Sequence, residues 1–207
     1  MNGALPVAAG DREPDAWRCF VGVPIGETLR DDLSSYVERL REPPEARSLR
    51  WSDPDGWHLT LAFLGTVRPD ALPAIERSLT ATARGRAPFS VATGGVGAFP
   101  SPHDMRVLWY GVDDSAGRLA ALALDLAAAL GLPPSAFRAH LTLARSREGR
   151  RGQVLMATLA GAAGEPPRGE ITVDRLELYR SHLGRGPARY EVLARAVIGS
   201  TRVQHGR

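Results

Sequence analysis

The segment from residue 57 to 64, WHLTLAFL, and the segment from 139 to 145, AHLTLAR, share the five-residue string HLTLA. Each copy alternates polar and apolar residues, which predicts a β-strand. Side chains alternate between the two faces of a strand, so a histidine and the threonine two residues later point the same way, roughly 6.6–6.8 Å apart. We therefore expect each strand to offer one imidazole and one hydroxyl to a common side and to bury its leucines on the other.

Two such strands supply the groups needed for acid–base chemistry on a phosphate, because one imidazole can take a proton and the other can give one. The threonine hydroxyls can hold the oxygens. A single histidine in a strand is often half buried without a further role. A repeated five-residue string favours function, although an old duplication that only packs a core remains the alternative. The candidates are His58, Thr60, His140 and Thr142.

The two copies resemble the paired H-x-T motifs of the two-histidine phosphoesterase superfamily. Within it, the chain is most similar to the RNA 2′,3′-cyclic phosphodiesterases, historically called 2′-5′ RNA ligases. The resemblance extends along nearly the whole chain and departs at Ala139, where the family usually has proline; this removes a backbone restraint but no chemistry. Similar segments are RCFVGVP (18–24), LRW (49–51), LYRS (178–181) and GPARY (186–190).

The resemblance implies metal-independent hydrolysis of RNA 2′,3′-cyclic phosphodiester ends to a 2′-phosphomonoester, reversible as 2′-5′ RNA ligation. It makes His58 the proton donor and His140 the acceptor, a choice that the symmetric sequence does not decide. Thr60 and Thr142 would hold the nonbridging oxygens. Arg145 stands where the family has an arginine implicated in nucleotide contact, so we expect it to bind substrate, the alternative being a solvated charge at a strand end.

Two other functions are compatible with the sequence. One is a phosphodiesterase of the same superfamily that acts on 2′-5′ oligonucleotides or small cyclic nucleotides. The other is a nucleotide- or RNA-binding module without turnover, which would not need two histidines in two copies. In each case the partner is RNA with a 2′,3′-cyclic phosphate end or a related nucleotide.

Composition is that of an ordinary globular enzyme of 207 residues, 43% of them hydrophobic. The single cysteine, Cys19, cannot form an intramolecular disulfide. All 26 basic residues are arginine, the net charge is +3, and the pI of about 9.6 favours anionic partners. Neither a nucleotide-binding loop nor zinc spacing is present, so we expect no metal and no cofactor. Without a signal peptide or membrane segment, we expect a cytoplasmic monomer with no membrane contact.

The pattern of elements predicts an α+β fold in which two pseudo-symmetric lobes, with antiparallel-rich sheets and outer helices, surround a central cleft. We expect a flexible N-terminal tail (1–15), one bilobal two-histidine phosphoesterase domain (16–199) and a flexible C-terminal tail (200–207). Predicted strands cover 17–23, 57–64, 89–96, 105–112, 140–145, 171–179 and 190–198, and predicted helices 27–41, 69–84, 115–130 and 153–159.

Some finer expectations concern single residues. Ser115 is the predicted N-cap of the third helix, and residues 97–104 form a predicted loop rich in glycine and proline. Phe63 lies five residues after His58, so in a regular strand it faces away from that histidine and packs in the core. Two further histidines outside the repeat are predicted to be surface residues, His103 and His182.

Overall fold

The computed structural model describes residues 15–146, 152–182, 184, 186–199 and 203–205. Four α-helices and ten strands form there, with short 3-10 helices at Pro44–Ser48, Pro54–Gly56 and Pro69–Ala71. The helices are α1 (Glu27–Arg41), α2 (Leu72–Ala83), α3 (Arg118–Ala129) and α4 (Gly152–Ala163). The strands are β1 (Trp17–Pro24), β2 (Leu49–Trp51), β3 (His58–Val67), β4 (Phe89–Pro100), β5 (Met105–Val112), β6 (His140–Ser146), β7 (Gly169–Val173), β8 (Arg175–His182), β9 (Arg189–Val197) and β10 (Val203–His205).

All pairings between the described strands are antiparallel, in the order β10-β9-β8-β1-β3-β6-β5-β4-β7, and β2 lies alongside β6. The two motif strands, β3 and β6, meet through one residue pair, Leu59 with Leu141. This narrow junction divides the sheet into a first lobe, which ends at β3, and a second lobe, which begins at β6. The predicted α+β class with two antiparallel lobes is confirmed.

The helices cover the core face of the sheet and cross between lobes. α2 and α3 pack together against the first lobe, with α2 on β8 and β9 and α3 on β3. α1 follows β1 in the chain but packs with α4 against β7 and β5 of the second lobe. Its leucines recur at helical spacing and are buried. The lobes therefore exchange elements. None of the helices in the described part of the chain is long and apolar enough to cross a membrane.

The start of α3 differs from the prediction, because the helix begins at Arg118 and Ser115 does not cap it. The carboxylate of Asp114 accepts hydrogen bonds from the backbone N–H groups of Leu119 and Ala120, each at 2.8 Å. Gly117 takes a left-handed conformation with φ of 67°, which only glycine adopts at low cost. The turn before the helix thus replaces the predicted N-cap.

Strand β4 runs to Pro100, although a loop from residue 97 was predicted. Gly97 allows this extension, because a Cβ there would lie 2.2 Å from the indole ring of Trp109 on β5. The glycine therefore marks a close approach of two strands where sequence pattern indicated a turn.

Three further boundaries also differ. The strand predicted over 171–179 is divided at Asp174 into β7 and β8, because β7 pairs with β4 in the second lobe and β8 with β1 in the first. The fourth helix continues to Ala163. Val203–His205, inside the segment predicted to be a flexible tail, form β10 against β9, since that strand offers an open edge. Nearly all of the predicted N-terminal tail, residues 1–14, lies outside the described residues.

Candidate active site

A cleft of about 750 Å³ opens on the face of the sheet opposite the helices, where the two lobes meet. All five site residues predicted from the sequence line it: His58, Thr60, His140, Thr142 and Arg145. The two motif strands begin at their histidines and run in opposite directions. Each lobe therefore brings an equivalent imidazole and hydroxyl to the junction, as the repeat predicts.

A β-bulge interrupts the first motif strand. Opposite β1, Thr60 pairs with Gly22 and Ala62 pairs with Val21, so Leu61 is an extra residue without a partner. Leu61 and Ala62 are consequently both buried, and the alternation of faces shifts by one residue. Phe63 is thereby returned to the cleft face, where its side chain is 70% exposed. The expectation that Phe63 packs in the core is wrong for this reason.

The second motif strand has the same irregularity. Across from β5, Thr142 pairs with Trp109 and Ala144 with Leu108, which leaves Leu143 as the extra residue. The pattern of burial over residues 140–145 repeats that over residues 58–63. This bulge brings Arg145 to the cleft face, where it is exposed and lines the cleft. In a regular strand, its position five residues after the histidine would have directed it into the core.

Two hydrogen bonds and three aromatic rings hold the imidazole of His58. Its Nδ1 lies 2.7 Å from the carbonyl oxygen of Gly56, and because a carbonyl only accepts, Nδ1 carries the proton. Nε2 of the neutral ring then accepts a hydrogen bond from the Thr60 hydroxyl at 3.1 Å. The ring of Phe20 stacks on the imidazole at 4.5 Å, Tyr179 lies tilted to it at 5.4 Å, and Tyr190 meets it edge-on at 5.1 Å. Nε2 is thus directed at the cleft, on the side where a phosphate would bind.

His140 is held in a corresponding way. Its Nδ1 lies 2.7 Å from the carbonyl oxygen of Arg138, which fixes the same tautomer and leaves Nε2 available. The ring of Phe99 meets the imidazole edge-on at 4.9 Å, and the guanidinium of Arg138 lies 4.8 Å over that phenyl ring. Two histidines with identical tautomers therefore present their Nε2 atoms from opposite lobes.

The surroundings of both histidines disfavour the charged imidazolium. Burial lowers the pKa of His58 to about 4, and a proton on His140 or the guanidinium of Arg145 acts in the same direction. Burial likewise lowers the pKa of His140, with Arg145 and Arg138 adding to the effect. Without substrate, both imidazoles are neutral at neutral pH. A bound anion shifts both pKa values in the opposite direction, because opposite charge favours the protonated ring.

A buried carboxylate supports the aromatic stack under His58. The ring of Tyr179 stacks on Phe20 at 4.9 Å, and its hydroxyl donates a 2.6 Å hydrogen bond to Glu177. Glu177 also accepts hydrogen bonds from Arg175 and Arg195. Burial alone would raise the pKa of this carboxyl group, but the three hydrogen bonds outweigh it and lower the pKa. The carboxylate is therefore ionised, and it anchors the stack that orients the imidazole.

Positive charge collects at the end of the cleft where β2 runs beside β6. Arg50 pairs directly with Arg145 across these strands, and both side chains line the cleft. Like charges directly opposite each other destabilise a sheet unless another group compensates them. Arg50 donates hydrogen bonds to the carbonyl oxygens of Gly184 and Gly186, which tethers the turn between β8 and β9. The guanidinium of Arg145 is left for an anion.

Several cleft residues were not predicted from sequence. Phe20 and Arg50 lie in segments whose resemblance to the family was noted without a role for either residue, so the segments could have indicated them. Phe99, which contacts His140 without lining the cleft, could not have been found, because it falls in the predicted loop. Conversely, His182 pairs with Glu191 at 2.8 Å near the surface, and neither His103 nor His182 lines the cleft.

Ligands for a metal ion are not grouped in the described part of the chain: nowhere there do three histidine, cysteine or carboxylate side chains come close enough to hold one. Among the described residues, those that line the cleft around the histidines offer hydroxyls, guanidiniums and aromatic rings, with Asp53 as the acidic residue. These groups suit an anion better than a cation.

Comparison with known proteins agrees with this geometry. The model of the LigT-like phosphoesterase family matches residues 23–109 and 111–190, a span that includes both motif strands. The chain belongs to this family. The resemblance found in the sequence is thereby confirmed.

Relatives in the family carry a consistent name. This phosphoesterase is 30% identical to the RNA 2′,3′-cyclic phosphodiesterase of Methanothermobacter thermautotrophicus over 169 residues, which cover 80% of this chain and 90% of the relative. It is 33% identical to the protein of that name from Archaeoglobus fulgidus over 131 residues, which cover 62% of this chain and 72% of the relative. The crystal structure of E. coli LigT complexed with 3′-AMP is 27% identical, with a TM-score of 0.68 and coverage of 89% of this chain and 99% of that one.

Proposed function

We propose that this phosphoesterase hydrolyses the 2′,3′-cyclic phosphodiester end of RNA to a 2′-phosphomonoester, without a metal ion. The observation that carries the proposal is the pair of equivalent histidines, His58 and His140, which line one cleft and whose Nδ1 atoms, not Nε2, are held by backbone carbonyls. The names of the relatives support the choice of a cyclic phosphate at an RNA end as the substrate.

The reaction requires one proton to be removed and one to be delivered. Nε2 of His140 takes a proton from water as the water oxygen attacks phosphorus. The bond between phosphorus and O3′ breaks, and Nε2–H of His58 protonates the departing O3′. The phosphate remains on the 2′ oxygen, so atoms and charge balance. The substrate's own negative charge raises the low pKa of His58 and allows it to carry the proton that the reaction needs.

The hydroxyls of two threonines and the guanidinium of Arg145 bind the phosphate. Thr60 and Thr142 stand two residues after the histidines on the same face, and their O–H groups donate to the nonbridging oxygens. The Thr60 hydroxyl bonds His58 in the empty cleft, and it becomes free to turn to the phosphate once Nε2 of His58 carries a proton. Arg145 offers a planar fork that suits phosphate.

Phe63 supplies a flat apolar surface at the opposite end of the cleft from Arg145. Stacking of a base on an aromatic side chain tolerates any sequence, because every base has a π face. We propose that this ring stacks on the base of the bound nucleotide.

In the reverse direction, a 5′ hydroxyl in place of water would join a cyclic end through a 2′-5′ linkage. We also propose that the protein acts as a monomer, since one chain supplies every group that this mechanism uses, and that it works in the cytoplasm.

The test uses a short RNA that ends in a 2′,3′-cyclic phosphate, incubated with the enzyme and EDTA. We expect a product that co-elutes with the 2′-phosphate standard and differs from the 3′-phosphate standard. His58→Gln is the matched control, because it keeps side-chain polarity and cannot transfer the proton. A 3′-phosphate product would contradict the assignment of the leaving oxygen. Hydrolysis of a 2′-5′ oligonucleotide or a small cyclic nucleotide with no action on this RNA would favour another substrate, and tight RNA binding without turnover would favour a binding module.

A further inference from the structure

One arm of the cleft extends beyond the histidines along β1 and β3. It contains the guanidinium of Arg18, which no step of the proposed reaction uses. Arg18, Phe63 and Gly65 line this arm. Arg18 pairs across the sheet with Thr66, near the far end of β3. The side chain of Arg18 is exposed and belongs to the lining of the cleft. Its charge therefore lies within the space that a substrate occupies.

The alternation of β1 fixes where this cation lies relative to the reacting phosphate. Arg18 and Phe20 are two residues apart on one strand, so they share a face and lie roughly 6.6–6.8 Å apart along the backbone. Phe20 stacks directly on the His58 imidazole. Arg18 is therefore one strand step beyond the ring that supports the catalytic acid, on the side away from Arg145. A single nucleotide can bridge the distance between the reacting phosphate and Arg18.

Arg18 lacks the neutralising contacts that neighbouring arginines have. Arg180, close by, lies 4.0 Å over the Trp17 ring and 3.7 Å from the Glu191 carboxylate. Arg50 donates to two backbone carbonyls. Among the described residues, none forms a hydrogen bond or an ion pair with Arg18. An arginine without a partner inside a cleft that accepts an anion is available for a second phosphate.

We infer that Arg18 binds the phosphodiester on the 5′ side of the terminal nucleotide, the group that joins this nucleotide to the rest of an RNA chain. The inference rests on the proposed function, since it places the cyclic phosphate between the two histidines. It makes Arg18 a specificity residue: the guanidinium distinguishes an RNA end from a free nucleoside 2′,3′-cyclic phosphate, which has no 5′ phosphate. Arg145 at the other end contacts the reacting phosphate and does not make this distinction.

The experiment compares three substrates with one base: a nucleoside 2′,3′-cyclic phosphate, the same compound with a 5′ phosphate, and a trinucleotide with a cyclic end. Arg18→Gln should lower kcat/KM about tenfold for the two substrates that carry a 5′ phosphate and leave the first unchanged. Arg18→Lys should recover part of the loss, because a point charge replaces a fork. Arg77→Gln, an exposed arginine on α2 outside the cleft, is the control and should change none of the three.

The results separate the inference from the proposed function. Equal loss on all three substrates, or no loss on any, would overturn the role of Arg18 while hydrolysis itself stands. If the wild-type enzyme hydrolyses none of them, the proposed function fails. Calorimetric binding of a nucleoside 2′-phosphate with and without a 5′ phosphate then tests Arg18 directly. In that measurement, the advantage that the 5′ phosphate gives should disappear in Arg18→Gln, and its persistence would overturn the inference. Thermal unfolding of each variant checks that the fold is unchanged.

Discussion

Phe63 and Arg145 occupy equivalent positions in the two lobes, each five residues after a motif histidine and each returned to the cleft face by a bulge at the preceding leucine. One half of the duplicated site thus carries a flat apolar ring and the other a cation. A nucleotide has the complementary halves, a base and a phosphate. Because these two positions differ, we expect the pseudo-symmetric cleft to bind a nucleotide in one orientation.

Replacing Phe63 with alanine should weaken substrate binding. The ring is 70% exposed in the empty cleft, so its loss costs little folding stability, but it removes the stacking surface. We expect KM to rise about 5- to 160-fold, since a stacked base contributes about 1–3 kcal/mol, with a much smaller change in kcat. Phe63→Tyr should retain most of the affinity. Leu124→Ala, at an exposed apolar residue on α3, is the control. An unchanged KM in steady-state kinetics would show that no base rests on this ring.

Replacing Arg145 with alanine should also raise KM more than it lowers kcat, because the side chain grips phosphate and moves no proton. We expect about a tenfold change, the usual size for a hydrogen bond to a charged group. Lysine should restore only part of it. The dependence of KM on salt should become shallower in Arg145→Ala, because one phosphate contact is lost. Kinetics at two salt concentrations, with Arg77→Ala as the control, decide this; identical salt responses would mean that Arg145 is only a solvated strand end.

The two bulges also show which part of the site the sequence predicts. The positions of His58 and Thr60 follow from strict alternation, because they precede the bulge. Phe63 was misplaced, because a bulge depends on the register with β1, which a sequence pattern does not reveal. Arg145 was placed correctly only through the family resemblance, since alternation alone would have buried it. Local periodicity therefore predicts the face that a side chain takes as far as the bulge. Beyond it, the pairing between strands determines the face.

Long-range pairing explains the other differences as well. Helix α1 agrees with its predicted bounds, since the spacing of its apolar residues is a local property. Asp174 divides β7 from β8 because those strands belong to different lobes, and this arrangement becomes visible only when the sheet is assembled. Phe99 reaches His140 because Gly97 lets β4 run under the Trp109 ring. No single segment contains that information.

Substitution of either histidine should abolish most of the turnover. His58→Ala and His140→Ala should each lower kcat about 10²–10⁴-fold, the usual contribution of a positioned acid or base. The kcat of the double variant should be little lower than that of the less active single variant, because the two groups act in one step. Single-turnover kinetics on a cyclic-phosphate RNA measure this, with circular dichroism to check folding. Near wild-type turnover in either single variant would exclude the two-histidine mechanism.

Chelators should leave activity unchanged. The described cleft residues form no cluster of metal ligands, and the proposed reaction draws its acid and base from imidazoles. The measurement is kcat after prolonged dialysis against EDTA, compared with untreated enzyme. Loss of activity that magnesium, manganese or zinc restores would require a metal mechanism in place of the one proposed.

The pH dependence should differ between the free enzyme and its complex with substrate. Burial and neighbouring positive charge lower the pKa of both His58 and His140 in the empty cleft, to about 4 for His58. Bound phosphate raises both values, because its negative charge favours the imidazolium. Since kcat/KM reports the free enzyme and kcat the complex, the bell-shaped profile of kcat should be centred at higher pH than that of kcat/KM.

Replacing Arg145 tests the direction of these pKa shifts. Its charge lowers the pKa of both histidines, so Arg145→Ala should raise both values in the free enzyme and move the kcat/KM profile to higher pH. Arg77→Ala lies outside the cleft and should leave the profile in place. NMR titration of the two imidazoles checks the same shift without turnover. A kcat/KM profile that moves to lower pH in Arg145→Ala would mean that the guanidinium acts on these histidines through their position and not through its charge.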